Sequence, residues 1–162
     1  PEFVLMDKAT VLKKITESLQ SELETYIRAA KFSHDEATAE ENRAENKYDT
    51  RGLEASYLAA GQANKVMELE TAISDFEELK DKPTSDSTDI GGLIKLDQEG
   101  STELYFIGPT AGGTEVEVDG MGILVITPES PLGSQLMGLK SGQKSTLDLA
   151  GRKQKIQIIS VA

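Results

Sequence analysis

The first half of the chain places apolar residues three and four positions apart, which is the spacing of an amphipathic helix. A first stripe comprises Leu12, Ile15, Leu19, Leu23, Tyr26 and Ala30, and the small side chains of Ser33, Ala37 and Ala44 continue it. A second stripe comprises Ala59, Ala63, Val66, Leu69, Ile73, Phe76 and Leu79 or Lys80. Both stripes are narrow, as in a coiled-coil seam, and the other faces are charged. Because neither helix would be stable alone in water, we predict that they fold back on each other as an antiparallel hairpin.

Local signals set the limits of this hairpin. Asp7 is suited to cap the first helix, and Pro83 disfavours a helical residue before it. Residues 46–52 are rich in turn formers, so we predict the bend near residues 45–51. A helix from residue 8 to 44 would be roughly 55 Å long at ~1.5 Å per residue.

The second half of the chain has the pattern of a β-sheet. Short apolar or alternating runs cover residues 93–96, 103–107, 114–118, 122–126, 145–149 and 154–161, and glycine-containing turns separate them. Residues 130–138 are the exception, because Ser130 stands at a cap position and Pro131 at the first helical position. We therefore predict an α+β fold, in which a two-helix coiled coil precedes a small antiparallel β domain with one short helix.

Composition divides the chain at the same place. Residues 7–82 contain no proline and two glycines, whereas residues 83–162 contain four prolines and twelve glycines. The polar residues 83–90 are interpreted as a linker, and residues 91–162 as the second domain. Residues 1–6 are interpreted as an expression scar with a start methionine, and we exclude them from the fold.

The net charge limits the kind of partner. At −11, with a pI near 4.6, the chain is poorly suited to neutralise phosphates or to dock on an anionic membrane. Strong direct DNA binding is not expected. No cysteine is present, which excludes disulfides, thiolate zinc sites and thiol nucleophiles. The absence of cysteine fits a reducing cytoplasm, and we expect a cytoplasmic protein. No stretch approaches the ~20 apolar residues of a membrane span.

Three segments resemble the Gre family of bacterial RNA polymerase cleavage factors. Residues 126–143 are similar to the family's C-terminal signature, where a strand leads into Ser-Pro, a helix of small residues and Gly-Lys-x-x-Gly-Asp. Residues 104–108 resemble its Tyr-x-Ile-Val-Gly strand, and residues 67–70 its Glu-Leu-Glu. The resemblance in layout covers residues 7–162 and implies an FKBP-like fold for residues 91–162. It also makes Ser130, Pro131 and Leu132 candidates for binding a partner.

The resemblance implies a mechanism without an active site in the factor itself. The hairpin would enter the secondary channel of bacterial RNA polymerase, and acidic residues at its tip would help to hold the second catalytic magnesium and a water. The polymerase would then cleave the 3′ end of a backtracked RNA. No cofactor of the chain's own is implied.

At the tip the chain departs from the family pattern. Gre factors carry Gly-Asp-Leu-x-Glu-Asn-Ala-Glu-Tyr there, and an ungapped alignment from the Glu-Leu-Glu match places Glu45 on the Asp and Tyr48 on the first Glu. Asp49 follows one residue later, so the carboxylate pair is either kept in a shifted form or lost. Glu45 and Asp49 are the candidates for sharing a magnesium ion held by the polymerase. Glu41, Tyr48 and Arg51 are the candidates for supporting them.

Three functions therefore remain open. The first is a Gre-like cleavage factor, and the second is a Gre-like protein that occupies the channel without stimulating cleavage. The third, a peptidyl-prolyl isomerase, ranks last because Tyr105 and Phe106 lie on one strand, and only one of them can face a single pocket.

Overall fold

A computed structural model describes the backbone of residues 6–43 and 51–162, and the side chains of residues 6–32, 34–36 and 60–162. The elements in chain order are α1 (Lys8–Arg43), α2 (Arg51–Glu77), β1 (Leu93–Gln98), β2 (Ser101–Ile107), β3 (Glu115–Val118), β4 (Met121–Ile126), α3 (Pro131–Leu136), β5 (Lys144–Leu149) and β6 (Arg152–Val161). The predicted α+β class is confirmed, and each predicted strand is present within about two residues of its expected limits. No helix in the described ranges has both the length and the apolar composition of a membrane span.

The chain forms two compact units. Unit 1 contains the chain up to Glu17 and everything from Ser74 onward, and unit 2 contains Ser18–Ile73. This grouping cuts both long helices, whereas the sequence pattern placed the boundaries at residues 82 and 91.

In unit 2, α1 and α2 contact each other. Among the side chains of unit 2 that the structure describes, Leu19, Leu69, Ala72 and Ile73 are buried apolar residues. The ammonium of Lys65 lies 5.9 Å from the centroid of the Tyr26 ring, within the range of a cation–π interaction. Ala63, which was assigned to the apolar stripe, is exposed. The turn that would close the predicted hairpin lies outside the described residues, so the hairpin tip stays a prediction.

The ends of the helices follow from local hydrogen bonds. Asp7 caps α1 as predicted, because its carboxylate accepts a bond of 3.1 Å from the Ala9 N–H. α2 ends at Glu77, well before Pro83. After Glu77 the chain continues in turns of the 3₁₀ type. The Leu79 N–H donates to the Phe76 carbonyl, and the Lys82 N–H donates to the Leu79 carbonyl.

Unit 1 is built on a six-stranded sheet with the order β3-β4-β2-β1-β6-β5. Four neighbouring pairs are antiparallel, but β2 and β4 run parallel. The predicted purely antiparallel sheet is thus a mixed sheet. The reason lies in residues 108–120, which connect β2 to β4 and include β3. Because β3 forms a hairpin with β4, β4 lies between β3 and β2 in the sheet. A connection of this length suffices for a parallel pair.

One face of the sheet carries the main hydrophobic core, which α3 covers. The fully buried core residues on this side include Ile94 on β1, Leu147 on β5 and Ile158 on β6, and Leu136 contributes from α3. Predicted as a helix against the sheet, α3 is confirmed by this packing.

The opposite face is covered by the end of α2. The rings of Phe76 and Phe106 lie 6.1 Å apart between centroids, and both residues are fully buried. Gly108 makes this contact possible, because a Cβ there would lie 2.7 Å from Phe76 Cζ and 2.8 Å from Val125 Cγ1.

Residues 83–90, expected to be a linker, are bound to the sheet domain. The Thr88 N–H donates to the Leu139 carbonyl at 2.8 Å, and the Gly138 N–H donates to the Thr88 carbonyl at 2.9 Å. Thr88 is 2% exposed. The ammonium of Lys82 donates a hydrogen bond to the Ile90 carbonyl and lies 3.5 Å from the Asp89 carboxylate, so the two ends of the segment are held together.

Candidate partner-binding surfaces

The predicted acidic tip falls outside the described part of the chain. Glu45, Tyr48 and Asp49 lie in the segment between α1 and α2. Glu41 and Arg51 belong to α1 and α2, but their side chains are outside the described residues. The tip and its shared magnesium therefore stay predictions. Where side chains are described, no group of three or more His, Asp or Glu residues is arranged to hold a metal ion.

The second predicted surface, at the start of α3, is fully described. The Ser130 hydroxyl accepts a hydrogen bond from the Gly133 N–H at 2.9 Å and donates one to the Thr127 carbonyl at 2.7 Å. Pro131 is the first helical residue and is exposed, whereas Leu132 is half-buried against the core. Ser130 therefore caps α3, Pro131 is exposed to solvent, and Leu132 packs against the core. Pro131 is the one that a partner can reach most easily.

Gly133 makes the close approach of α3 to the preceding loop possible. A Cβ at this position would lie 1.9 Å from the Thr127 carbonyl oxygen and 2.8 Å from the Ser130 hydroxyl. No side chain fits at that distance. The geometry of the Ser-Pro segment therefore depends on this glycine, whose role the sequence pattern did not reveal.

Gln135 joins α3 to the edge strand β5. Its amide nitrogen donates to the carbonyls of Asp148 and Pro131 at 2.9 and 2.8 Å, and its amide oxygen accepts from the Asp148 N–H at 2.7 Å. The side chain thus takes the place of a neighbouring strand for one residue of β5. The sequence pattern gave no sign of this contact, because a glutamine on a short helix has many possible partners.

The two aromatic residues of β2 lie on opposite faces of the sheet. Phe106 is fully buried against Phe76, and Tyr105 is half-buried beside the main core. Burial, and secondarily the nearby Glu103 carboxylate, raises the pKa of the Tyr105 phenol above its usual 10.0. The pair cannot line one pocket together, which removes the aromatic basis of the isomerase hypothesis.

Large apolar side chains are exposed on the helices of unit 2. Phe32 on α1 is 70% exposed and Met67 on α2 is 65% exposed. Ile27 on α1 is exposed to a smaller extent. Such residues supply contact area to a partner when they are grouped, although single ones are common on protein surfaces.

An open depression of about 530 Å³ lies over β1, β6 and β5. Its lining carries both signs of charge, with Lys144 and Lys155 on the β5–β6 side, Asp97 on β1 and Glu99 in the turn after β1. A lining of this kind suits a polar partner better than an apolar ligand.

Several solved structures are similar to this chain, and three of them are structures of Gfh1. Gfh1, the GreA factor homolog 1 of Thermus thermophilus, is 18% identical, with 91% of this chain and 94% of that chain covered and a TM-score of 0.38. Gfh1 of Thermus aquaticus is 20% identical, with 92% and 94% covered and a TM-score of 0.39. A further structure, of the transcription factor Gfh1, is 18% identical, with 92% and 94% covered and a TM-score of 0.38. No sequence profile of a known family matches the chain, and no curated protein is significantly similar to it.

Proposed function

We propose that this chain is a Gre-like transcription factor that binds bacterial RNA polymerase and presents the tip of a helical hairpin to the polymerase active site. The observation that carries the proposal is the segment 126–143, which resembles the Gre signature in sequence. In this segment β4 leads into α3, and Ser130 and Pro131 occupy the cap and first helical positions.

The long helices supply the second support. α1 has 36 residues, which gives a length of about 54 Å, and α2 has 27 residues. Helices of this length reach into a channel that a globular surface could not enter. Phe32 and Met67 offer apolar contacts to the channel wall, since both are largely exposed.

Glu45 and Asp49 carry the chemistry of the proposed tip. Between residues 35 and 49 the sequence has six acids and two bases, so this part of the chain is negative. The carboxylates of Glu45 and Asp49 would serve as hard oxygen ligands for a magnesium ion that the polymerase already holds. When held there, that ion would supply an activated water for hydrolysis of the RNA phosphodiester. Cleavage would be the polymerase's own reaction, with the RNA 3′ end contacted only indirectly.

A second candidate function is a secondary-channel binder that regulates or inhibits transcription without cleavage. The observation that favours it is Tyr48, which aligns with a tip glutamate of the Gre pattern. A phenol cannot replace a carboxylate as a magnesium ligand at neutral pH.

A cleavage assay on backtracked bacterial elongation complexes tests the proposal. A cleavage factor releases short 3′ RNA fragments faster than the polymerase alone, and Glu45→Ala or Asp49→Ala abolishes the gain. Glu36→Ala is the matched control, since it removes an exposed acid of α1 outside the candidate pair. Retained polymerase binding without fragment release would favour the non-cleaving binder. Absence of binding would exclude both functions.

The exposed apolar residue of α1 gives an independent test of binding. Phe32→Ser should weaken polymerase binding by about tenfold or more if the ring becomes buried in the complex. Gln20→Ala changes an exposed position of the same helix and should leave the affinity unchanged. Equal affinities of the two variants would show that this part of α1 does not contact the polymerase.

A further inference from the structure

The edge strand β5 presents an open row of backbone hydrogen-bonding groups. β5 ends the sheet and pairs only with β6, in the register Lys144↔Gln157, Thr146↔Lys155 and Asp148↔Lys153. Both backbone groups of Asp148 bond to the Gln135 side chain, so they point away from β6. Because antiparallel ladders alternate with a period of two residues, the N–H and C=O groups of Thr146 and Lys144 point the same way.

Gln135 closes only one end of this edge. In the described part of the chain, the outward backbone groups of Thr146 have no hydrogen-bond partner. Thr146 and Lys144 are both exposed. The edge from Lys144 to Thr146 therefore remains able to pair with another extended chain.

The charge beside this edge is positive, although the whole protein is acidic. Lys144, Arg152, Lys153 and Lys155 are exposed, and no ion pair engages any of them within the described ranges. Lys144 pairs with Gln157 and Thr146 pairs with Lys155, so these side chains all lie on one face of the sheet. The neighbouring Leu147 and Ile156 are buried on the opposite face. Acids are also present: Asp97, on the far side of β6, and Glu99 line the same depression as Lys144 and Lys155, and Asp148 lies opposite Lys153.

We propose that the open edge of β5 binds an extended acidic segment of a protein partner by β-strand addition. Backbone groups of the partner would bond to Thr146 and Lys144, and alternate acidic side chains would lie over Lys144 and Lys155. Successive side chains of a strand point to opposite faces, so acids two residues apart would share the lysine-bearing face. The proposal does not depend on polymerase binding.

Charge decides between this partner and a second copy of the chain. The only described edge strand of complementary charge is β3, with Glu115 and Glu117 exposed. Pairing β3 of one copy with β5 of another would bring together two molecules that each carry a net charge of −11. We therefore assign the edge to a different protein, and self-association becomes an outcome of the test.

The test uses the full-length protein and a synthetic peptide with alternating Glu and Thr over eight residues. Titration followed by amide NMR should shift the signals of residues 144–146, and saturation should slow hydrogen exchange at the Thr146 N–H. A Lys/Thr peptide of the same length should not bind. The Glu/Thr peptide with all of its backbone nitrogens methylated should not bind either, because its backbone can no longer donate hydrogen bonds to β5.

Variants test the two parts of the recognition separately. Thr146→Pro removes an outward N–H while sparing the ladder to β6, and it should abolish binding. Lys144→Glu with Lys155→Glu should weaken binding about tenfold, and Lys80→Glu, at an exposed position outside the sheet, should not. The proposal is overturned if the Glu/Thr peptide does not bind, or if the methylated peptide binds equally well. It is also overturned if the shifts map elsewhere, if an RNA oligonucleotide but not the peptide binds this edge, or if sedimentation shows self-association through β5.

Discussion

Replacing Gly133 by alanine should displace the start of α3. The new Cβ would lie 1.9 Å from the Thr127 carbonyl oxygen, whereas such atoms normally approach to about 3.3 Å. The helix must therefore move away by roughly 1.4 Å. That movement breaks the hydrogen bonds of the Ser130 cap, a loss of about 1 kcal/mol. It also disturbs the fully buried Leu136, and overpacking of this kind costs about 1–3 kcal/mol. We expect a total destabilisation of about 2–4 kcal/mol.

Urea unfolding measures this effect when it is followed through amide NMR signals of the sheet. These signals report on unit 1, whereas circular dichroism would be dominated by the long helices. Gly122→Ala is the matched control, since its Cβ would meet only Glu115 Oε1, at an ordinary 3.5 Å. The two variants should differ by about 2 kcal/mol or more in free energy of unfolding. Equal stabilities would refute the claim that Gly133 is required for the close approach of α3.

Three further predictions concern the sheet unit. Phe76→Ala should destabilise unit 1 by about 3–5 kcal/mol in the same unfolding assay, because a fully buried ring is lost. A change below about 1 kcal/mol would contradict this packing. Gln135→Ala should speed hydrogen exchange at the Asp148 N–H, and unchanged exchange would show that another group protects that amide. Burial, and secondarily the Glu103 carboxylate, raises the pKa of the Tyr105 phenol in the folded protein. The contribution of Tyr105 to stability is therefore complete below the unfolded pKa of 10.0 and is lost as the pH rises through the folded pKa. Tyr105→Phe should reduce the fall in stability above about pH 10, and an identical pH profile would contradict this assignment.

Much of unit 1 could be predicted because its signals are local. The alternating runs fixed the strands, and glycine-containing turns fixed the hairpins between them, as at Ala150–Gly151, where both φ angles are positive. The Ser130–Pro131 pair fixed the start of α3. Each of these signals acts within a few residues, so the chain around it is sufficient to interpret it.

Contacts between distant segments could not be predicted from such signals. Alternation shows which face a side chain occupies but not which strand lies beside it, so the parallel β2–β4 pair was missed. The polar segment 83–90 looks like a linker, yet Thr88 is buried because its backbone bonds to Gly138 and Leu139. Gln135 is a similar case, since its partner Asp148 is distant in sequence.

The helical stripes predicted the core of the helices only in part. Val11 and Ala72 are buried although neither was assigned to a stripe. Their burial widens the apolar faces beyond a strict coiled-coil seam. The candidate tip rests on the Gre resemblance and on residue chemistry, because no local pattern in residues 45–51 identifies a metal ligand.

Competition for bacterial RNA polymerase tests the central claim most directly. A fluorescently labelled sample of this chain is titrated with the core enzyme, and an unlabelled Gre factor is then added in excess. We predict saturable binding that the Gre factor displaces, because both proteins would occupy the same channel. Absence of binding, or binding that excess Gre factor leaves unchanged, would contradict the proposed function.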